Sequence, residues 1–234
     1  MSHVNVDPIE IEKFQSIASR WWDPESEFKP LHDINPLRVD YIETRSGGLS
    51  GKKILDIGCG GGILAEAMAL KAASVTGIDM AEMSLKVAEM HLHESKFEID
   101  YEMITAEEYA EQHAGEFDIV TCLEMLEHVP DPASIVAAAT TLLKPEGQLF
   151  FSTINRNPKA FVLAILGAEY ILNMLPRGTH EYKKFIKPSE LASAVRSNEM
   201  EVLDITGMTY NPLTKNYRLG RDIDVNYLMH CAHQ

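Results

Sequence analysis

The sequence predicts an α/β fold: a mostly parallel sheet with helices on both faces and a helical extension before it. Three observations predict it. Short apolar runs alternate with helical stretches from residue 53 to 154. Those runs are continuously apolar, as strands covered on both faces are. The chain of 234 residues, 45% hydrophobic and 24% charged, also suffices for one large core with extensions.

The elements follow in order. Asp7 can cap a helix with Pro8 at its first position and Glu10 at its third, a capping-box-like start. Asn35-Pro36 opens a second helix that Gly47-Gly48 closes. Between them, RWWDPESEFKPLHDIN reads as an irregular link with two exposed tryptophans. KKILDI is the first strand, GILAEAMALKA a helix, SVTGID the second strand and AEMSLKVAEMHLHES a helix with His91 and His93 on its solvated side. IDYEMI is the third strand, and Thr105 with Glu108 opens a short helix. FDIVTCL is the fourth strand. DPASIVAAATTLLK is a helix capped by Asp131, and GQLFFSTI is the fifth strand. The pattern then changes to a long apolar segment, AFVLAILGAEYILNML, and a helix over 188–197. MEVLDITGMTY and VNYLMHCA read as strands closing the sheet edge. Residues 1–48 form an N-terminal helical cap. Residues 49–234 form the main domain, with a lid or membrane-contact insertion at about 156–187.

Composition removes some functions. A net charge of −14 argues against broad nucleic-acid binding, which calls for a basic face. The three cysteines, Cys59, Cys122 and Cys231, are too few and too widely spaced for a disulfide framework or a zinc ribbon. The N-terminus has neither the apolar core of a signal peptide nor an Arg-rich presequence, so a cytoplasmic setting is expected.

The stretch ILDIGCGGGILAEA carries the strongest signal. A dinucleotide fingerprint G-x-G-x-x-G would place glycine at 63, where Ile63 stands; Gly58, Gly60 and Gly62 spell G-x-G-x-G instead. Glycines let the turn tighten and a ligand approach the backbone. Asp56, two residues before Gly58, would repel a pyrophosphate. It would attract S-adenosylmethionine, which carries an ammonium and a sulfonium. Asp79 ends the second strand, where a carboxylate can accept hydrogen bonds from both ribose hydroxyls. A nicotinamide oxidoreductase is disfavoured by Ile63 and Asp56. Cys59 and Cys122 fall near this turn and read as small packing residues.

With these residues in view, the chain resembles the class I S-adenosylmethionine-dependent methyltransferases. SRWWDPESEFKPLHDINPLR, MLEHVPDP, FFSTINRN, GAEYIL, GTHEYKKFIKPSEL and DVNYLMH resemble, within them, the O-methyltransferases of ubiquinone biosynthesis. The resemblance runs over nearly the whole chain, and the outer segments are its specific part. It implies a Rossmann-like fold with a seven-stranded, mostly parallel sheet. It implies methyl transfer to a phenolic hydroxyl of a prenylated phenol or quinol, 2-polyprenyl-6-hydroxyphenol and 3-demethylubiquinol. It carries the cofactor-binding role to Arg38, Gly58, Asp79 and Leu123, beside the Asp56 and Gly60 of the turn. A guanidinium at 38 can pair bidentately with the methionine carboxylate. It also suggests other ubiquinone biosynthesis enzymes as partners.

EMLEHVPDP follows the fourth strand directly, at the sheet edge where ligands bind. In a helix, Glu124, Glu127 and His128 would share one face. Two carboxylates and an imidazole can hold a divalent cation, and a mostly oxygen set suits Mg²⁺. Such an ion would lower the pKa of a phenol, near 10 when free. Alternatively, His128 acts as general base, with Glu127 beside it. The plain reading has glutamates favoured near a helix N-terminus and a hydrogen-bonded histidine. Asn155, Arg156, His180 and Tyr182 are candidates for the substrate mouth.

Residues 160 to 175 contain two strongly polar side chains, Glu169 and Asn173, and precede the basic run RGTHEYKKFIK. Apolar surface beside Arg177, Lys183, Lys184 and Lys187 predicts peripheral contact with anionic lipid, at the inner membrane where a polyprenyl substrate resides. The alternative is a buried helix with solvated lysines. Two further functional readings stay open: a methyltransferase of another small phenolic substrate, and a cofactor-binding scaffold without turnover.

Overall fold

The computed structural model describes residues 5–161 and 182–234. Helix α1 (Pro8–Ile17) starts at Asp7, whose Oδ1 accepts the Ile9 N–H at 3.0 Å. Helix α2 (Lys29–Ser46) is longer than the sequence predicts. It begins at Lys29-Pro30 and runs through Pro36, which was expected to open it. Ile34, Val39 and Ile42 along α2 are buried, so packing of this face outweighs the backbone bond that Pro36 cannot donate. Gly47 ends α2 in the left-handed conformation, φ 73°.

Strands β1 (Lys53–Ile57), β2 (Ser74–Ile78), β3 (Ile99–Glu102), β4 (Phe117–Leu123) and β5 (Leu143–Ile154) pair in parallel. Between them come α3 (Ile63–Ala69), α4 (Glu82–Ser95), α5 (Ala106–Gln112) and α6 (Pro132–Leu142). After the single turn α7 (Pro158–Ala160) and helix α8 (Pro188–Ser197), β6 (Met200–Asn211), β7 (Asn216–Gly220) and β8 (Asn226–His233) complete the sheet. Its order is β3-β2-β1-β4-β5-β8-β6-β7, and β8 is antiparallel to β5. The sheet thus has eight strands where seven were expected. The additional one is β7, which pairs antiparallel with β6 at the edge. Its sequence NYRLG alternates between partly buried and exposed positions and carries no apolar run.

Side chains alternate across the sheet. Leu55, Ile57, Cys122 and Phe151 face the core beneath α5, α6 and α8, while Ile54, Leu123 and Phe150 face the core beneath α2 and α3. Burial on both faces is why these strands read as uninterrupted apolar runs. The chain leaves β1 towards β2 on one side and returns as β4 on the other. That reversal opens a crevice at the carboxyl ends of β1 and β4. Among the described residues, no helix is long and apolar enough to cross a membrane. The apolar segment expected as lid or membrane contact lies, from residue 162 to 181, outside the described residues.

Candidate cofactor and active site

The crevice is a cleft of about 1150 Å³, counted out to its mouth. Its floor is the glycine turn. Gly58, Gly60 and Gly62 have φ of 73°, 53° and 86°, a region that side chains with a Cβ rarely enter. A Cβ at Gly58 would stand 2.5 Å from Cγ of Met125, and at Gly60 or Gly61 it would overlap the indole of Trp21. Neighbouring side chains therefore seat directly on the turn.

Those neighbours revise the expected link. Trp21 is buried, at 7% exposure, and stacks on Phe28 at 4.1 Å. Trp22 donates from Nε1 to the Gly61 carbonyl at 2.9 Å. Its ring lies flat on His91, centroids 3.5 Å apart at 2°, and His91 Nδ1 meets Glu66 Oε1 at 2.8 Å. His91 is thus a packing partner of Trp22 and not a solvated residue. The tryptophans read as exposed because the glycine turn they cover lies 39 residues away.

The carboxylates sort by environment. Asp79 accepts the Gly60 N–H through Oδ2 and the Ala81 N–H through Oδ1, both at 2.8 Å. Burial raises its pKa, while these N–H groups act the other way. Asp56 is 3% exposed and accepts the Thr121 hydroxyl at 2.7 Å. Burial pushes it up to about 7, against the Thr121 hydrogen bond and the charge of Arg38. Leu123 closes the wall beside them. Arg38, 5% exposed, pairs with Glu124 Oε1 at 3.1 Å. Its Nε has no hydrogen-bond partner among the described residues. A buried guanidinium with an orphaned N–H, lining the cleft, suits an incoming carboxylate.

Glu124, Glu127 and His128 were expected on one helical face, and the structure separates them. Glu124 sits in the left-handed region, φ 54°, and Leu126–His128 form one 3₁₀ turn. Glu124 accepts from Ser152 Oγ at 2.8 Å and from Asn226 Nδ2 at 3.1 Å. Burial opposes its ionisation, but Arg38 and these donors hold its pKa below the usual range. Glu127 does not line the cleft. It is buried against Thr153 Oγ1 at 2.8 Å, and burial with the Glu124 charge pushes it up to about 7. His128 lines the cleft and turns Nδ1 to Glu10 Oε2 at 2.9 Å. Among the described residues, no three His, Cys, Asp or Glu side chains are grouped to hold a metal ion. The trio does not fit the expected Mg²⁺ site, because each carboxylate is taken by a different partner.

Glu10 is the site residue that the sequence hid. Read as a cap, it instead carries its carboxylate inward, 8% exposed, to His128 and to Lys184 Nζ at 3.0 Å. Burial would raise its pKa; the hydrogen bond and charge of His128, with Lys184 and the nearby Lys13, bring it down to about 2. Lys184 also meets Asp7 at 3.1 Å, so it faces the N-terminal helix and not open solvent. Arg156 pairs with Glu190, and Asn155 Nδ2 donates to the Ile223 carbonyl at 2.9 Å; neither lines the cleft. Tyr182 packs between Phe161 and Phe185. His180 lies outside the described residues. Cys59 and Cys122 are buried with their thiols pushed well up by burial, as packing residues are.

A methyltransferase-domain family model matches residues 32–205. The chain is 62% identical over 232 residues to the ubiquinone biosynthesis O-methyltransferase of Marinobacter nauticus, covering 98% of this chain and 97% of that one. It is 64% identical over 225 residues to the enzyme of that name from Pseudomonas aeruginosa strain LESB58, covering 96% and 97%. Among solved structures, it resembles the magnesium protoporphyrin IX methyltransferase of Synechocystis PCC 6803 with bound S-adenosylmethionine, at TM-score 0.65, 17% identity and full coverage of both chains. It also resembles an S-adenosylmethionine-dependent methyltransferase of Thermotoga maritima, a possible histamine N-methyltransferase. There the TM-score is 0.69 and the identity 18%, over 97% of this chain and 99% of that one. At such identities, the solved structures share the fold.

Proposed function

From the premise that this chain belongs to the ubiquinone biosynthesis O-methyltransferase family, we propose that its cleft moves a methyl group from S-adenosylmethionine to a phenolic hydroxyl of a prenylated ubiquinone precursor. The observation that carries this reading is the polarity of the cleft. Carboxylates of Asp56 and Asp79 and the guanidinium of Arg38 line one space, with Arg38 Nε lacking a partner among the described residues. In this reading, Arg38 takes the methionine carboxylate, Asp56 faces the ammonium and Asp79 the ribose hydroxyls. Gly58 and Gly60 admit the ligand to the backbone, and Leu123 borders the adenosyl group.

S-adenosylmethionine supplies an electrophilic methyl on a sulfonium. The protein's task is to hold the phenol in line and take its proton. His128 is the base: it lines the cleft, and with Nδ1 engaged by Glu10 its Nε2 is the nitrogen left to receive the proton. Glu127, off the cleft, supports the turn that carries His128 rather than touching substrate. Residues 1–48 act as a cap over a domain formed by 49–234. The insertion at 156–187, through its apolar residues and basic residues such as Lys183 and Lys187 rather than Lys184, which Asp7 and Glu10 engage, makes peripheral contact with the anionic inner membrane where the prenyl chain lies. 2-Polyprenyl-6-hydroxyphenol and 3-demethylubiquinol are the expected substrates, and neighbouring enzymes of that pathway are the expected partners.

The test incubates the purified protein with S-adenosylmethionine and a short-chain 3-demethylubiquinol analogue. Mass spectrometry should find one added methyl. Tight cofactor binding without product would overturn the substrate assignment.

A further inference from the structure

We propose that the groove between α6, α8 and residues 183–186 binds the prenyl chain of the substrate, which reaches it from the cleft past Val129. The proposal rests on the reading of the substrate as a prenylated phenol or quinol.

Three observations carry it. First, the groove adjoins the cleft. It measures about 880 Å³, counted out to its mouth, and Val129 lines both spaces. Second, the start of the chain straps the two spaces together. Asn5, a cleft residue, donates from Nδ2 to the carbonyl of Asp131, a groove residue, at 2.8 Å, and its Oδ1 accepts the Asp131 N–H at 2.8 Å. Lys184, a groove residue, donates from Nζ to Asp7 Oδ2 at 3.1 Å and to Glu10 Oε1 at 3.0 Å, both of the cleft. A ring held in the cleft therefore has an apolar way out at Val129, bordered by anchored chain. Third, the groove has the chemistry of a hydrocarbon site. Val136, Ile186 and Leu191 are buried along it, and Ala194 packs on the same core. Arg156 pairs with Glu190, and Lys184 with Asp7 and Glu10, so these charges are already neutralised. Asp131 is held as the cap of α6, and Lys183 stays exposed at the rim. A chain laid there covers apolar surface without stripping water from an unpaired ion.

Elsewhere the cleft is committed. Asp56, Asp79 and Arg38 offer charge, which suits the polar cofactor and no hydrocarbon. Trp21 is taken by Phe28 and by the glycine turn. The groove also extends to Lys183, in the basic run read as touching the membrane. A chain longer than the groove continues from there into the bilayer.

The test uses the full chain with S-adenosylmethionine and two quinol analogues in detergent-free buffer. One carries a methyl group in place of the tail, the other a two-isoprene tail. Each methylene taken out of water strengthens binding by about 4-fold, so even partial cover of two isoprene units should lower KM by about 10-fold or more. Ala133→Trp on α6 puts bulk into the groove, and Ala194→Glu on α8 puts a charge there. Each should raise KM for the two-isoprene analogue by about 10-fold, with KM for the methyl analogue, kcat and cofactor Kd within about 2-fold of wild type. A diazirine at the tip of the two-isoprene tail, activated by light in the wild-type protein, should label peptides of α6, α8 or residues 183–186. Equal KM for the two analogues in the wild type overturns the proposal, as do variants that raise both KM values alike, or a label outside those segments. Methylation of neither analogue, with cofactor bound, removes the substrate reading and the groove with it. Methylation of both with equal KM removes the groove alone. If the variants do not fold, the position of the label decides.

Discussion

Replacing Gly60 by alanine tests the seat of Trp21 on the cofactor turn. Two costs are separable there. Gly60 has φ 53°, and an alanine in that left-handed region costs roughly 1–2 kcal/mol. The new methyl would also come within 3.1 Å of Trp21 Cε2 and closer still to Cζ2 and Cη2. Trp21 is buried and stacked on Phe28, so it cannot swing aside freely, and forced overpacking costs roughly 1–3 kcal/mol. A total near 3 kcal/mol lowers the melting temperature by roughly 6–12 °C in a chain of this size. Gly115 is the control: its φ is 70° and nothing lies within 4 Å of an added Cβ, so Gly115→Ala carries the backbone cost alone. Thermal unfolding of both variants, and of Gly60→Ala in a Trp21→Ala background, separates the two terms. In that background the cost of Gly60→Ala should drop to that of Gly115→Ala. Equal losses for Gly60→Ala and Gly115→Ala in the intact protein would refute the packing of Trp21 against the turn.

Other outcomes follow from the same geometry. Asp79→Asn loses the carboxylate that both holds the turn and awaits the ribose; S-adenosylmethionine binding by calorimetry should weaken by about 10-fold or more. Arg38→Ala should weaken S-adenosylmethionine binding by a similar factor yet leave methylthioadenosine, which lacks the carboxylate, nearly unaffected; equal losses would contradict the assigned role. Trp22→Phe keeps a ring for His91 but removes the donor to Gly61, and should cost about 1 kcal/mol in denaturant unfolding. Asp56 is raised from 3.8 to about 7, so the folded protein binds the proton more tightly than the unfolded chain. Its contribution is full below about pH 4 and is lost as pH rises through about 7. Asp56→Asn should flatten that part of the stability profile, as unfolding curves across pH would show.

The parallel half of the fold was legible because its central strands are buried on both faces and two of its helices announce their starts. Thr105 and Asp131 cap where the sequence places them. Strand β7 was not legible, since an edge strand needs no apolar run. Pro36 misplaced the start of α2, because its local signal was overruled by burial along the helix. The cofactor residues were readable because Asp56, the glycines and Asp79 are close in sequence or fixed by one strand–turn–helix unit. The seat of Trp22 on the glycine turn and the Glu10–His128 contact were not readable: Trp22 meets Gly61 from 39 residues away and Glu10 meets His128 from 118. Glu10 also had an adequate local explanation as a cap, and that concealed its burial. The metal site failed for a local reason. Glu124 takes a left-handed backbone conformation and breaks the helical register that would have aligned the trio.

The measurement that tests the account most directly is a single turnover with S-adenosylmethionine carrying a trideuterated methyl group and a short-chain 3-demethylubiquinol analogue. The account predicts a product that gains the labelled methyl on its phenolic oxygen, seen by mass and by NMR, together with S-adenosylhomocysteine. A labelled methyl on carbon, or cofactor bound with no transfer to the quinol, would contradict it.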